Sequence, residues 1–123
     1  MTEPLSDRLL DALGDPVARS ILKTLERADL SQLELIERLE LPQATVSRTL
    51  KLLRALGLVT QSRPGRGVAL SLTVADGTSA LFLAADRLAE EVLKGELQAQ
   101  REESADTRRR IIRPVEGGEA THQ

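Results

Sequence analysis

Within nine positions the sequence sets Gln43, Ala44, Thr45, Ser47, Arg48 and Lys51: an amide, a bare methyl, two hydroxyls and two cations. The chemistry of this set is hydrogen bonding and charge neutralisation. A guanidinium pairs with two acceptors on a guanine edge, amides and hydroxyls read or position neighbouring bases, and an ammonium neutralises a phosphate. Arg48 is therefore the candidate for a bidentate base contact, Gln43 and Ser47 for its neighbours, and Lys51 for the backbone. Two more cations, Arg63 and Arg66, surround Pro64-Gly65 and are followed by Gly67. Proline and glycine are turn formers, so both guanidinium groups fall at the tip of a turn, suited to phosphates or a minor groove.

The first set needs a helix to hold it. Pro42 can open one, because its missing N–H is unsatisfied there anyway, and Gly57 can close one, because glycine takes the left-handed conformation cheaply. Between these stops Val46, Leu50 and Leu53 recur at i, i+4 and i+7 and predict a core face. Ala44, Ser47, Arg48, Lys51 and Ala55 lie on the opposite side, which is slim and cationic enough to enter a major groove.

The chain has 123 residues, enough for one domain or a domain with a tail. Its hydrophobic content of 41% supports a small core, one that a second chain could share. The net charge is −2, yet between Leu41 and Ala75 there is no acidic residue, while Arg48, Lys51, Arg54, Arg63 and Arg66 contribute +5 and leave −7 for the remainder. Such a chain is polarised, and the local field governs a surface contact.

There is no cysteine, which removes disulfides, zinc–thiolate sites and thiol chemistry, and the one histidine is His122. Glu90-Glu91 and Glu102-Glu103 are adjacent pairs that point apart on a helix, so they form no acid/base couple. No enzyme, cofactor or metal is expected. The first residues lack the basic start and apolar run of a signal peptide and no stretch is long enough to span a bilayer, so a cytoplasmic protein without membrane contact is expected.

In chain order, Leu5, Leu9, Leu10 and Leu13 are spaced for an amphipathic helix that Gly14 ends. Asp15-Pro16 reads as N-cap and first residue of a second helix, with Val17, Ile21, Leu22 and Leu25 buried. Ser31 and Glu34 have capping-box spacing, and Leu33, Ile36 and Leu39 give the third helix its apolar side. That helix, a tight turn and the helix from Pro42 make a helix-turn-helix. Leu58 to Ser62 and Gly67 to Leu72 alternate as short strands around the basic turn, a wing. From about Gly77 to Lys94 the period is helical again, with Leu81, Phe82, Ala85, Leu88, Ala89, Val92 and Leu93 on one broad face. Beyond Gly95 the apolar pattern thins. The expected class is mainly α with a small β-hairpin wing, a winged helix-turn-helix over residues 1–94 with a charged tail over 95–123 that frays and then loses order. Arg108-Arg109-Arg110 reads as part of that solvated tail.

Two runs resemble the arsenic-repressor (ArsR) family of winged-helix regulators: Leu13-Gly14-Asp15-Pro16-Val17-Ala18-Arg19-Ser20-Ile21-Leu22, and Leu41-Pro42-Gln43-Ala44-Thr45-Val46-Ser47-Arg48 through Leu58-Val59. The resemblance covers about residues 5 to 94. It implies a transcriptional repressor, a homodimer on a two-fold symmetric double-stranded DNA operator. The interface would be built on the first and last helices, through Leu5, Leu9, Leu81, Phe82, Ala85, Leu88 and Val92. Its DNA-contacting positions fall on Gln43, Ala44, Ser47 and Arg48, with Arg63 and Arg66 alongside. Thr49 is a departure, since the family usually carries histidine there. The metal sensors of the family place cysteines at positions that align with Gln32 and Glu34, and others use histidines and carboxylates on the last helix, so their metal sites are absent. For a signal there remain a small molecule, a protein partner, or none. Two other readings stay open: a winged helix used as a protein-interaction module, and a DNA-binding regulator of another winged-helix family.

Overall fold

The computed structural model describes residues 3–62 and 68–116, with side chains as far as Thr107. Helices α1 (Leu5–Leu13), α2 (Pro16–Leu25), α3 (Gln32–Leu39) and α4 (Gln43–Ala55) are followed by strands β1 (Val59–Ser62) and β2 (Ala69–Leu72) and by helix α5 (Ala75–Glu116). The strands pair antiparallel, Val59 opposite Leu72 and Ser62 opposite Ala69. This is the winged helix-turn-helix that the sequence predicts. The turn expected over Arg63–Gly67 and the tail from Gly117, with His122, lie outside the described residues.

Two compact units divide at Leu81 and Phe82. In the first, α2 is the central element, packed by α1, α3, α4 and β2. Its Ala18, Ile21, Leu22 and Leu25 are buried, and they meet Leu35 of α3, Val46, Leu50 and Leu53 of α4, and Leu70 of β2 in one core. Each buried Leu or Ile contributes about 1.5–3 kcal/mol over its exposed state. In the second unit α5 continues as one helix to Glu116, past the Lys94 where the apolar pattern thins. The stretch between Glu96 and Thr107 is mostly Ala, Leu, Glu, Gln and Arg, residues of high helix propensity that need no buried face to favour the state.

The helix ends follow local chemistry. Asp15 caps α2 by accepting the Val17 N–H, with Pro16 in the first position. Ser31 and Glu34 form a reciprocal capping box on α3. Pro42 stands one position earlier than the sequence suggests: it is the N-cap of α4, with an extended ψ of 142°, and its carbonyl accepts from Thr45 and Val46. At the other end Gly57 has φ +83°, its N–H bonds the Arg54 carbonyl, and the Leu58 N–H bonds that of Leu53, a complete Schellman motif.

Several faces differ from expectation. On α3 the buried residue is Leu35, while Leu33 is 64% exposed and Ile36 and Leu39 are half-buried. Two apolar stripes share Ile36, and the approach of α2 and α4 selects the one containing Leu35. On α1 only Ala12 is fully buried, and Leu5 and Leu10 remain exposed. Val17 of α2 is half-buried. Leu30, which belongs to no periodic stripe, is buried and exchanges two backbone hydrogen bonds with Leu70, at 3.2 and 2.7 Å, extending the hairpin by an isolated bridge. Arg19 donates to the Leu13 carbonyl at 2.8 Å and so satisfies an acceptor at the end of α1.

A Cβ at Gly57 would meet nothing within 4 Å, so only the backbone opposes a side chain there. Gly57→Ala is expected to lower unfolding stability by about 1–2 kcal/mol, the cost of the left-handed conformation. A shift of the urea midpoint at unchanged m-value checks it.

Candidate nucleic-acid interface

The burial of Val46, Leu50 and Leu53 sets the rotation of α4, and the opposite side is left bare. Gln43, Ala44, Ser47, Arg48 and Lys51 are all exposed. At 100° per residue Gln43, Ser47, Lys51 and Arg54 fall within an arc of about 80°, with Ala44 and Arg48 on its flank. The structure therefore brings these five predicted residues to one surface. Thr45 is not on it: it lies about 160° around from Ser47, is half-buried, and its carbonyl accepts the Thr49 hydroxyl at 2.9 Å. Thr49 itself is 6% exposed. The departure from the family's usual histidine thus falls on the packed side of the helix.

The turn that presents α4 is made by Glu40, which is left-handed at φ 53° and donates its N–H to the Ile36 carbonyl at 2.9 Å. A non-glycine residue in that region is uncommon, and here the backbone bond to Ile36 closes the turn. Next to α4 the hairpin offers Thr60, Gln61 and Ser62 of β1 as exposed polar residues. A groove of about 640 Å³ runs between the two elements, lined by Lys51, Arg54, Ala55, Val59, Thr60 and Gln61. Arg63 and Arg66 lie outside the described residues.

Electrostatically the surface has one sign. Among the described residues Arg48, Lys51 and Arg54 have no ion-pair or hydrogen-bond partner, and no acid occurs from Leu41 to Ala75 to supply one. Uncompensated cations on one face attract a polyanion more strongly than the net charge suggests.

Gln32 is half-buried, and the Glu34 carboxylate accepts the Ser31 N–H at 2.9 Å. No group of three or more His, Cys, Asp or Glu able to hold a metal ion occurs among the described residues. An apolar cavity of about 260 Å³ is lined by Leu9, Leu13, Leu22, Leu58, Val74, Gly77, Thr78 and Leu81. Of the residues expected at a dimer interface, Leu9 and Phe82 are half-buried, while Leu5, Leu81, Ala85, Leu88 and Val92 are exposed. No described helix is long and apolar enough to cross a membrane.

Comparison with known proteins agrees with this geometry. Residues 13–62 match a family described as a helix-turn-helix domain. The HTH-type transcriptional repressor SmtB of Mycobacterium tuberculosis is 43% identical over 60 residues, which are 49% of this chain and 44% of that one. The HTH-type transcriptional regulator NmtR of the same organism is 40% identical over 63 residues, 51% of this chain and 52% of its own. Among solved structures, HlyU from Vibrio cholerae superposes with a TM-score of 0.58 at 32% identity, over 68% of this chain and 90% of that one. The chain spans about half the length of the curated relatives it matches.

The Ser31 hydrogen bonds, backbone first, hold the Glu34 carboxyl below the usual glutamate range. A depressed pKa adds stability that is complete above the unfolded-state pKa and is lost as pH falls through the folded one. Glu34→Gln keeps an acceptor that does not titrate. Urea midpoints followed downward from neutral pH should therefore fall more in the parent than in Glu34→Gln across the carboxylate range; parallel curves would refute a stabilising role for the charged cap.

Proposed function

The chain belongs to the arsenic-repressor (ArsR) family of winged helix-turn-helix transcriptional regulators, and we propose that it binds double-stranded operator DNA as a homodimeric repressor. The observation that carries this reading is the exposed face of α4, bearing Gln43, Ser47, Arg48 and Lys51 without an acidic partner and flanked by the polar side of β1. A helix entering the major groove must be slim where it nears base edges and cationic where it nears phosphates. Ala44 and Ser47 meet the first need, and Lys51 the second.

In this reading Arg48 contacts a guanine edge, Gln43 and Ser47 contact its neighbours, and Lys51 with the wing arginines Arg63 and Arg66 neutralises phosphates. Residues 1–94 would form the DNA-binding and dimerisation region, with the charged segment from 95 as an appendage. Repression follows from occlusion of a promoter by the bound dimer. The signal is a small molecule or protein other than a metal ion, or none, since Gln32 and Glu34 carry no thiolate and Glu34 is engaged in the cap of α3. The proposed role is regulatory, without catalysis, in the cytoplasm.

Fluorescence-anisotropy titration against the DNA upstream of the protein's own gene and against a shuffled duplex, each at two salt concentrations, tests the proposal. Preferential, salt-sensitive binding that saturates at two chains per site is expected. Arg48→Ala should cost about 1–3 kcal/mol on the preferred duplex and much less on the shuffled one. Equal weakening on both would remove Arg48 from base reading, and failure to bind either duplex at low salt would leave a protein-interaction module.

Dimerisation is proposed from the leucines that the single chain leaves in water. Leu81, Ala85, Leu88 and Val92 recur at i, i+4, i+7 and i+11 along α5, and Leu88 is 63% exposed. A polar residue at so exposed a position costs the isolated fold little. Leu88→Glu should thus halve the mass seen by sedimentation equilibrium while leaving the circular-dichroism spectrum unchanged; an unaltered mass would place the interface elsewhere.

A further inference from the structure

We propose that the groove between the C-terminal half of α4 and β1 seats the sugar-phosphate backbone of the bound duplex, with Arg54 as its phosphate ligand and Thr60 and Gln61 as neutral donors beside it. The inference rests on the DNA-binding reading above and extends it to residues outside the base-reading set. Lys51 and Arg54 stand on one wall of the groove, Thr60 and Gln61 on the other, and Ala55 and buried Val59 complete the lining.

Three observations select this occupant. First, Arg54 has no structural employment: it is exposed, and among the described residues it has neither an ion pair nor a hydrogen bond. A side chain held in a fold for its packing or its pairing would show one or the other. Second, every lining residue with a polar side chain is a hydrogen-bond donor, and none is acidic. That chemistry suits an anion with several acceptor oxygens, and a guanidinium fork matches phosphate in particular. Third, the groove continues the α4 face. Arg54 is seven residues after Ser47, two turns on, and so lies on the same side about 10 Å further along the axis. The major groove is about 12 Å wide, so with Ser47 at base edges a point that far along the helix has reached the groove wall, where the backbone runs.

The consequence is a division of labour along one helix face. The N-terminal half meets bases and the C-terminal half, with β1, meets a phosphate whatever the sequence. Arg54 then fixes how deeply and at what angle α4 enters.

The experiment uses the full chain with the same two duplexes, measured over a salt series. Arg54→Gln retains much of the side chain's reach without its charge, and unchanged urea midpoints will show that it folds. The expected result is a loss of about tenfold, for two contacts per dimer, equal on the upstream and shuffled duplexes, with the slope of log affinity against log salt reduced by about 0.9 per protomer. Arg54→Lys should restore the slope but only part of the affinity, and Gln61→Ala should weaken both duplexes without changing the slope. An Arg54→Gln variant that binds as tightly and as steeply as the parent overturns the proposal, as does one that weakens only the upstream duplex, since Arg54 would then read a base. Absence of binding by the parent protein itself is a separate outcome, which overturns the DNA reading.

Discussion

The structure depends on the seating of α4 through Val46, Leu50 and Leu53. Each of these side chains is buried against a core centred on α2. A helix advances 100° per residue, so a rotation by that angle would exchange Val46 for Ser47 at the core and bury a hydroxyl where a branched alkyl group belongs. Burial of the three apolar side chains, at about 1.5–3 kcal/mol each, forbids that rotation. The face that Ser47, Arg48 and Lys51 present is therefore fixed by buried residues that are not on it. Thr49 fits the same scheme, since its hydroxyl is satisfied by the Thr45 carbonyl and does not oppose its burial.

The ends of α4 transmit this seating to its neighbours. Before the helix, the left-handed Glu40 reverses the chain in few residues and holds α3 against α4. After it, Leu58 is tied twice: its N–H to the Leu53 carbonyl of α4, and its carbonyl to the Thr73 N–H beyond β2. The hairpin cannot turn independently of the helix without breaking one of these bonds. A rigid joint of this kind allows two separate elements to meet one surface at a fixed spacing, a condition for recognising a regular polymer.

Against this well-satisfied interior, the α4 face stands out as cations in a segment without a single acid. Asp15, Ser31, Glu34, Arg19 and Thr49 all find partners within a few residues of themselves. Arg48, Lys51 and Arg54 find none among the described residues. Residues that a fold leaves without local consistency mark the places where something else completes it. Here three cations share one face of α4 without a negative complement among the described residues.

Local chemistry was legible in the sequence. The Asp15-Pro16 cap, the Ser31–Glu34 box, the Gly57 stop, the core stripe of α4 and the acid-free basic segment each depend on residues a turn or less apart, or on composition alone, and each is present as read. The sequence by itself thus determined the order of elements and which polar and cationic residues α4 offers opposite its core stripe. What it left open required knowing what packs on what. Leu33 and Leu35 both belong to apolar stripes of α3, and only the approach of α2 and α4 chose between them. Leu30 gained its role from Leu70, forty residues away. Thr45 sits among exposed polar residues in the chain but is half-buried in space. Arg54, in the sequence one of five cations in an acid-free segment, became one wall of a groove because the chain folds β1 back against it. Tertiary structure decided these because side-chain periodicity fixes which residues share a face, whereas only long-range contact fixes which face meets the core.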